Sequence, residues 1–175
     1  VTDVPADETT LPSFNQSTLP PNMAQHNATA EMIRFKGGYA MKVDFQKVDW
    51  PNVFFTPESG NWDWSKFAGI TVDIFNPGDE PVDVCVRVDN EGADGATHCN
   101  TGSASVPPGQ RAALQVRFNT ANKDFWGMRG IPFRGALGQG PVIDTSEIVA
   151  FQIFLPRPSK LRTLILEDVR LFGDG

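Results

Sequence analysis

The sequence predicts an all-β fold, an antiparallel β-sandwich of the jelly-roll type, on three observations. Short runs of residues alternate between apolar and polar side chains, which is the pattern of a strand with one buried face. Proline and glycine, with 14 and 16 residues in a chain of 175, recur between these runs as turn residues. Strong helical periodicity is absent, and we expect no more than one helical turn at residues 63–67 and at residues 144–148.

Each predicted strand is an alternating run bounded by turn residues. In chain order the strands are residues 39–45, 70–75, 82–88, 111–118, 149–155 and 161–172. The second ends at the turn sequence Asn76-Pro-Gly-Asp, and the third carries valine at every second position from Val82 to Val88. Strands at this spacing, with turn signals between them, are typical of a sandwich or jelly roll.

Length and composition indicate one domain. A chain of 175 residues with 40% hydrophobic residues, 13 Phe and 4 Trp can bury a sizeable core without metals or many disulfides. The first residues are rich in Asp, Thr, Ser and Pro and have the character of a processed or excised start. We therefore expect residues 1–13 to be a flexible N-terminal segment or linker and residues 14–173 to be a single jelly-roll module.

The charge balance argues against a nucleic-acid partner, and the lack of a long apolar run argues against a membrane span. The net charge of -6 and the pI near 4.8 come without any basic run that could neutralise a phosphate backbone, so we expect no nucleic-acid partner. No apolar run reaches about 18 residues, so we expect no membrane span. A monomer that is secreted or extracellular is expected, with a periplasmic or cell-surface location as the alternative.

The two cysteines bear on whether the protein is found in an oxidising or a reducing compartment. Cys85 lies in the predicted strand 82–88, and residues 96–103 are expected to return antiparallel to it. A hairpin centred on Gly92 places Cys85 opposite Cys99, a register that allows a cross-strand disulfide. Such a pair in a chain poor in cysteine indicates an oxidising compartment, and two buried thiols are the alternative.

Strand parity predicts a polar patch. Neighbouring residues of a strand point to opposite faces, so the alternation leaves a set of polar side chains outside the core. These are Asp73, Arg87, Asp89 and Gln152, with Asn90 at the end of its strand. If the strands are neighbours in one curved sheet, the patch forms an open groove in which charged groups hold sugar hydroxyls. A simple surface ion pair between Arg87 and Asp89 is the alternative.

The tryptophans divide into packing and binding candidates. Trp50, Trp62 and Trp64 are expected to cover the core or its rim. Trp126 lies in a loop with glycines and charges around it, which favours an exposed ring that stacks on a sugar, with Arg129 beside it. No histidine lies in a recognisable nucleophile setting, so we expect that this chain is not itself an enzyme.

The order and spacing of several motifs resemble a known family. The motifs are Tyr39-Ala-Met-Lys-Val-Asp-Phe, Trp50-Pro-Asn-Val-Phe-Phe, Trp62-Asp-Trp-Ser, Ile70-Thr-Val-Asp-Ile-Phe-Asn-Pro, Val86-Arg-Val-Asp-Asn and Leu164-Ile-Leu-Glu-Asp-Val-Arg-Leu-Phe. Together they look like the N-terminal carbohydrate-binding-module-like domain that precedes the barrel of glycoside hydrolase family 50 β-agarases, over most of the chain from Phe14 to Phe172.

The resemblance implies a non-catalytic, galactose-binding-domain-like jelly roll that binds agarose or a related algal galactan. It implies a covalently linked hydrolase domain and a marine bacterial source active in polysaccharide degradation. A structural accessory domain that packs on the hydrolase barrel without its own sugar affinity is the alternative. No cofactor is required, but related modules hold a structural calcium, for which Asp168 matches the position in the last strand. The early segment Pro12-Ser-Phe-Asn-Gln lacks the acidic partner.

Overall fold

The computed structural model describes residues 11–93, 98–118 and 143–173. Within these ranges the chain forms strands joined by turns and loops, and no helix. The strands are β1 Met23–His26, β2 Ala28–Phe35, β3 Gly38–Phe45, β4 Asn52–Phe55, β5 Gly69–Phe75, β6 Val82–Asp89, β7 Cys99–Val106, β8 Arg111–Arg117, β9 Ala150–Phe154 and β10 Arg162–Phe172. Residues 63–67 and 144–148 each contain a turn and no helix. No helix of the described part is long and apolar enough to cross a membrane.

The strands form two five-stranded antiparallel sheets. Sheet A has the order β1-β4-β9-β6-β7, and sheet B has the order β2-β3-β10-β5-β8. Every pairing is antiparallel, as the all-β prediction requires. The sequence-based strands all appear, whereas β1, β2 and β4 were missed because they are short or carry small residues at the buried positions.

The core lies between the sheets and is strongly aromatic. Trp62 and Trp64 are 2% and 0% exposed, and their rings stack at 5.1 Å between centroids. Trp64 also stacks on Phe118 at 5.6 Å, and Phe151 contacts both tryptophans. The predicted packing role of these two tryptophans is confirmed. Trp62 further exchanges backbone hydrogen bonds with Ile148, at 2.8 and 2.9 Å, which ties the entry to β5 to the entry to β9.

The predicted disulfide is wrong. The hairpin of β6 and β7 pairs Cys85 with Ser103 and Asp89 with Cys99, and the two cysteines are not joined. Cys99 is therefore displaced from Cys85 by about 13 Å along the strand direction, at about 3.3 Å per residue. A disulfide needs Cα atoms within about 4.4–6.8 Å. The connection between the strands is longer than the sequence suggested, so the return strand begins later.

Candidate functional site

The outer face of sheet A, the side turned away from the core, carries most of the polar strand residues predicted from the sequence. The valines of β6 point into the core, so the intervening residues point outward, and the register extends this parity across the sheet. The residues of this outer face are Ala24, His26, Asn52, Phe54, Asp83, Cys85, Arg87, Asp89, Cys99, Thr101, Ser103, Ser105, Ala150, Gln152 and Phe154.

One row of this face runs across the central strands. Phe54 of β4 lies opposite Gln152 of β9, Gln152 lies opposite Arg87 of β6, and Arg87 lies opposite Thr101 of β7. The next row holds Asp89. The prediction that Arg87, Asp89 and Gln152 share one face of one sheet is therefore correct.

Arg87 and Asp89 form a bidentate ion pair that is buried. Arg87 Nε donates to Asp89 Oδ1 at 2.7 Å and Arg87 Nη2 donates to Asp89 Oδ2 at 3.0 Å. Their exposed fractions are only 7% and 3%, so the expectation of charges projecting into an open groove is wrong, and so is the alternative of a surface pair. β6 is an inner strand with β9 and β7 on either side, and the Arg87 guanidinium extends along β6 to the Asp89 carboxylate with which it pairs.

Gln152 contacts the same ion pair, and its side-chain oxygen is left without a hydrogen bond from the described residues. Burial raises the pKa of the Asp89 carboxyl, and hydrogen bonds from Arg87 and Gln152 oppose that rise. The Gln152 side chain is 3% exposed, and within the described ranges its Oε1 atom accepts no hydrogen bond. An unsatisfied buried acceptor costs about 1–3 kcal/mol. The oxygen is therefore an acceptor that the described residues leave unsatisfied.

Beside Gln152 the face carries an aromatic corner that sequence reasoning missed. Phe54 is half-buried, and the His26 ring contacts it edge-on at 6.2 Å between centroids. Asn52 Nδ2 donates to the Trp50 carbonyl at 3.1 Å, which leaves Asn52 Oδ1 to accept from His26 Nδ1 at 2.9 Å. The alternation of Asn52–Phe55 is a signal that could have found this corner, because Val53 and Phe55 are buried and Phe54 must face outward.

Asp73 does not belong to the patch. Its strand, β5, lies in sheet B, so Asp73 is on the opposite side of the sandwich from Arg87. There it accepts a hydrogen bond from Arg170 Nη1 at 2.5 Å. The prediction depended on β5 and β6 being neighbours in one sheet, but the chain crosses between the sheets after β5.

Asn90 is used inside the protein. Its Nδ2 donates to the carbonyls of Asp144 and Glu147, both at 2.9 Å, and its Oδ1 accepts from the Asp144 amide at 2.7 Å. The side chain therefore joins the end of β6 to the loop before β9. Trp126 and Arg129 lie outside the described residues.

The calcium expectation stays a prediction, which the described residues do not support. Asp168 is exposed, and its carboxylate accepts from Arg170 Nη1 at 3.1 Å, so a cation already lies against it. Across the described ranges no group of three or more His, Cys, Asp or Glu side chains could hold a metal ion.

Comparison with known proteins places the chain in a family. Residues 13–132 match the family model described as the agarase CBM-like domain, where CBM stands for carbohydrate-binding module. The chain belongs to this family. Carbohydrate-binding modules are non-catalytic, in agreement with the prediction that this chain is not itself an enzyme. "Beta-agarase B" of Vibrio sp. (strain JT0107) is 29% identical over 93% of this chain, which spans 17% of the length of that protein.

Solved structures of an agarase and of a carbohydrate-binding module share the fold. An exo-β-agarase matches with a TM-score of 0.71 and 17% identity, over 95% of this chain and 25% of that one. A family 11 carbohydrate-binding module from Clostridium thermocellum, solved with a β-1,3-1,4-mixed-linked tetrasaccharide, matches with a TM-score of 0.63 and 15% identity, over 93% of this chain and 95% of that one. The predicted jelly-roll sandwich is confirmed.

Proposed function

We propose that this chain is the carbohydrate-binding module of a β-agarase and that it holds agarose or a related red-algal galactan on the outer face of sheet A. Family membership supports the module, and the agarase relative supports the substrate class. The proposal includes a covalently linked hydrolase domain, because the relative is much longer than this chain. It also includes a secreted or extracellular location in a marine bacterium, where the polymer is found.

The observation that carries the choice of face is the Gln152 acceptor next to the Phe54 ring. A pyranose presents an apolar face and a rim of hydroxyls, so a site for it needs a flat apolar surface beside fixed polar atoms. Phe54 supplies the surface, and the buried Gln152 Oε1 supplies the acceptor. A hydroxyl donated to that oxygen would remove the cost of the unsatisfied atom.

The Arg87–Asp89 pair supports the site without offering a net charge. Its two charges balance, and Gln152 is held against the Asp89 carboxylate. The overall charge of -6 also disfavours an anionic polymer at long range. Neutral agarose therefore suits this face better than a heavily sulfated carrageenan.

The test is calorimetric titration of the 175-residue chain with agarose oligosaccharides. Phe54→Ala and Gln152→Met should each weaken binding about tenfold, the equivalent of about 1.4 kcal/mol. Phe75→Ala is the matched control, since Phe75 is a half-buried ring on the outer face of sheet B. Gel retardation should occur in agarose and not in carrageenan. Absence of heat at millimolar sugar would contradict the proposal and leave the structural role on a hydrolase barrel.

Trp126 and Arg129 stay in the proposal on sequence grounds alone. A loop indole that stacks on a sugar ring contributes about 1 kcal/mol or more through burial of its face. Trp126→Ala should therefore weaken binding in the same titration, while thermal stability stays unchanged. An unchanged affinity would remove Trp126 from the site.

A further inference from the structure

A cleft continues the outer face of sheet A beyond the start of β6. It has a volume of about 270 Å³, and its walls include Pro81, Asp83, Pro156, Arg157 and Pro158. Asp83 belongs to the outer face, and Pro156 follows Phe154 by two residues, so it continues the same parity. The cleft therefore lies at the end of the outer face where β6 begins and β9 ends.

Trp50 stands at the end of this surface in a strained conformation. Its backbone φ is 55°, in the left-handed region that a bulky residue adopts only when its surroundings impose it. Its amide donates to the carbonyl of Pro156, a residue that lines the cleft, at 3.3 Å, so the Trp50 backbone is held next to the cleft wall. Within the described residues the buried indole Nε1 donates to no acceptor. Strained residues of this kind cluster at ligand-binding and active sites.

Arg157 joins the tryptophan to the cleft. Its guanidinium carbon lies 5.4 Å from the centre of the Trp50 ring, and the side chain also forms a wall of the cleft. Its ion pair with Asp49 is long, at 3.9 Å, and both side chains are more than half exposed. Such a pair is worth little, so the N–H edges of the stacked guanidinium are accessible to a ligand.

The chemistry of the cleft selects a neutral, hydroxyl-rich ligand. The proline rings form rigid apolar walls, the Asp83 carboxylate accepts hydrogen bonds, and Arg157 donates them. Arg162, on the far wall, already donates to Glu80 at 2.5 Å, so it adds no unpaired positive charge. An anionic group would lie against the exposed Asp83 carboxylate, which disfavours sulfate or phosphate.

We infer that this cleft, the Trp50 cleft, is an additional subsite that takes one further sugar unit of a polysaccharide bound on the outer face of sheet A. The inference rests on the proposed function. Asp83 lies about 13 Å from Arg87 along β6, at about 3.3 Å per residue. A ligand must therefore be several rings long to occupy both Phe54 and the Trp50 cleft, and a short oligosaccharide reaches only one of them.

The experiment measures affinity against chain length, with an agarose disaccharide and an agarose octasaccharide as the probes. For the wild type we expect the longer ligand to bind more tightly. Arg157→Ala and Asp83→Asn should each lower octasaccharide affinity about tenfold, about 1.4 kcal/mol, and leave disaccharide affinity unchanged. Phe54→Ala should lower both affinities.

Two substitutions on sheet B serve as matched controls. Arg34→Ala removes an exposed arginine that stacks on Tyr39 at 5.7 Å, and Glu31→Gln removes an exposed carboxylate paired with Lys42. Both should bind like the wild type. Octasaccharide affinity that is equal in wild type, Arg157→Ala and Asp83→Asn would overturn the subsite and leave the proposed function standing. A wild type that binds neither ligand would overturn both.

Discussion

Arg87 and Asp89 lie two residues apart on β6 and form a bidentate pair with N–O distances of 2.7 and 3.0 Å, buried on the side of the sheet that faces away from the core. Two opposite charges so placed hold each other and the neighbouring Gln152 in position. The pair is thus the rigid base of the proposed sugar site, and the groups that meet the sugar lie beside it.

The Asp89→Ala variant should unfold at a much lower urea concentration than the wild type. Removing one partner of a buried pair leaves an uncompensated charge, which costs about 3–5 kcal/mol. Asp73→Ala is the control, because its pair with Arg170 has side chains 30% and 48% exposed and such pairs are worth about 0–1 kcal/mol. Urea unfolding followed by tryptophan fluorescence measures both free energies. Equal losses for the two variants would show that the Asp89 pair is not buried in solution.

The cysteines should titrate as two thiols that react slowly in the native state. Burial, with a contribution from Asp83, raises the pKa of the Cys85 thiol to about 12, so little thiolate is present at pH 8. Cys99 is only 2% exposed. A thiol-specific chromophoric reagent should detect two thiols per chain after denaturation without reductant, and far slower reaction before it. A chain with no reactive thiol after denaturation would restore the disulfide.

Acid should destabilise the protein below about pH 4 through Asp63 and Asp144. Each carboxylate accepts from the hydroxyl and the amide of a serine two residues later, at 2.6 and 3.0 Å, and these bonds hold both pKa values below the ordinary 3.8. The folded chain then binds fewer protons than the unfolded chain in that range. Stability is therefore fully present above pH 3.8 and falls as the pH is lowered through it.

The measurement for this acid effect is the midpoint of thermal unfolding between pH 6 and pH 2.5. The double variant Asp63→Asn/Asp144→Asn should lose stability less steeply below pH 4 than the wild type. Ser65→Ala/Ser146→Ala removes the hydroxyl donors and should flatten the same part of the curve. If both variants give curves of unfolding midpoint against pH that are parallel to the wild-type curve, the serine hydrogen bonds do not stabilise the two carboxylates more than water does.

Asn90→Ala should destabilise the fold by about 1–3 kcal/mol, since two backbone carbonyls and one amide lose their partner. Asp144 and Glu147, whose backbone groups lose the Asn90 side chain as a hydrogen-bond partner, lie in the loop before β9. Amide hydrogen exchange should speed up there and stay unchanged in β2 and β3. If exchange is unchanged in that loop, Asn90 is not its anchor, and its sequence-based role in sugar binding regains weight.

Local pattern was enough for most of the strands, though not for β1, β2 and β4, and for the parity of the side chains in the strands it predicted. The valines of β6 point inward, and Arg87 and Asp89 point outward, as alternation requires. Pairing was not predictable in the same way. Cys85 meets Ser103 because the hairpin connection is longer than its turn residues suggested, and Asp73 lies in sheet B because the chain crosses between sheets.

Burial and orphaned atoms were the least predictable features of the site. A strand pattern shows that Gln152 points outward, but it cannot show that its Oε1 is buried without an acceptor bond inside the described part of the chain. Phe54 was missed for a simpler reason. Its strand has only four residues, Asn52–Phe55, so the alternation is a weak signal that is easily taken for part of an aromatic loop.

The most direct test of the central claim is a map of the bound sugar by NMR. A ¹H–¹⁵N spectrum of the 175-residue chain, titrated with an agarose oligosaccharide, should shift the Gln152 side-chain amide and the backbone amides of β4, β6, β7 and β9. The amides of β2, β3 and β10 should stay in place. Shifts that cluster on sheet B, or a spectrum unchanged at millimolar sugar, would contradict the assignment of the outer face of sheet A as the binding surface.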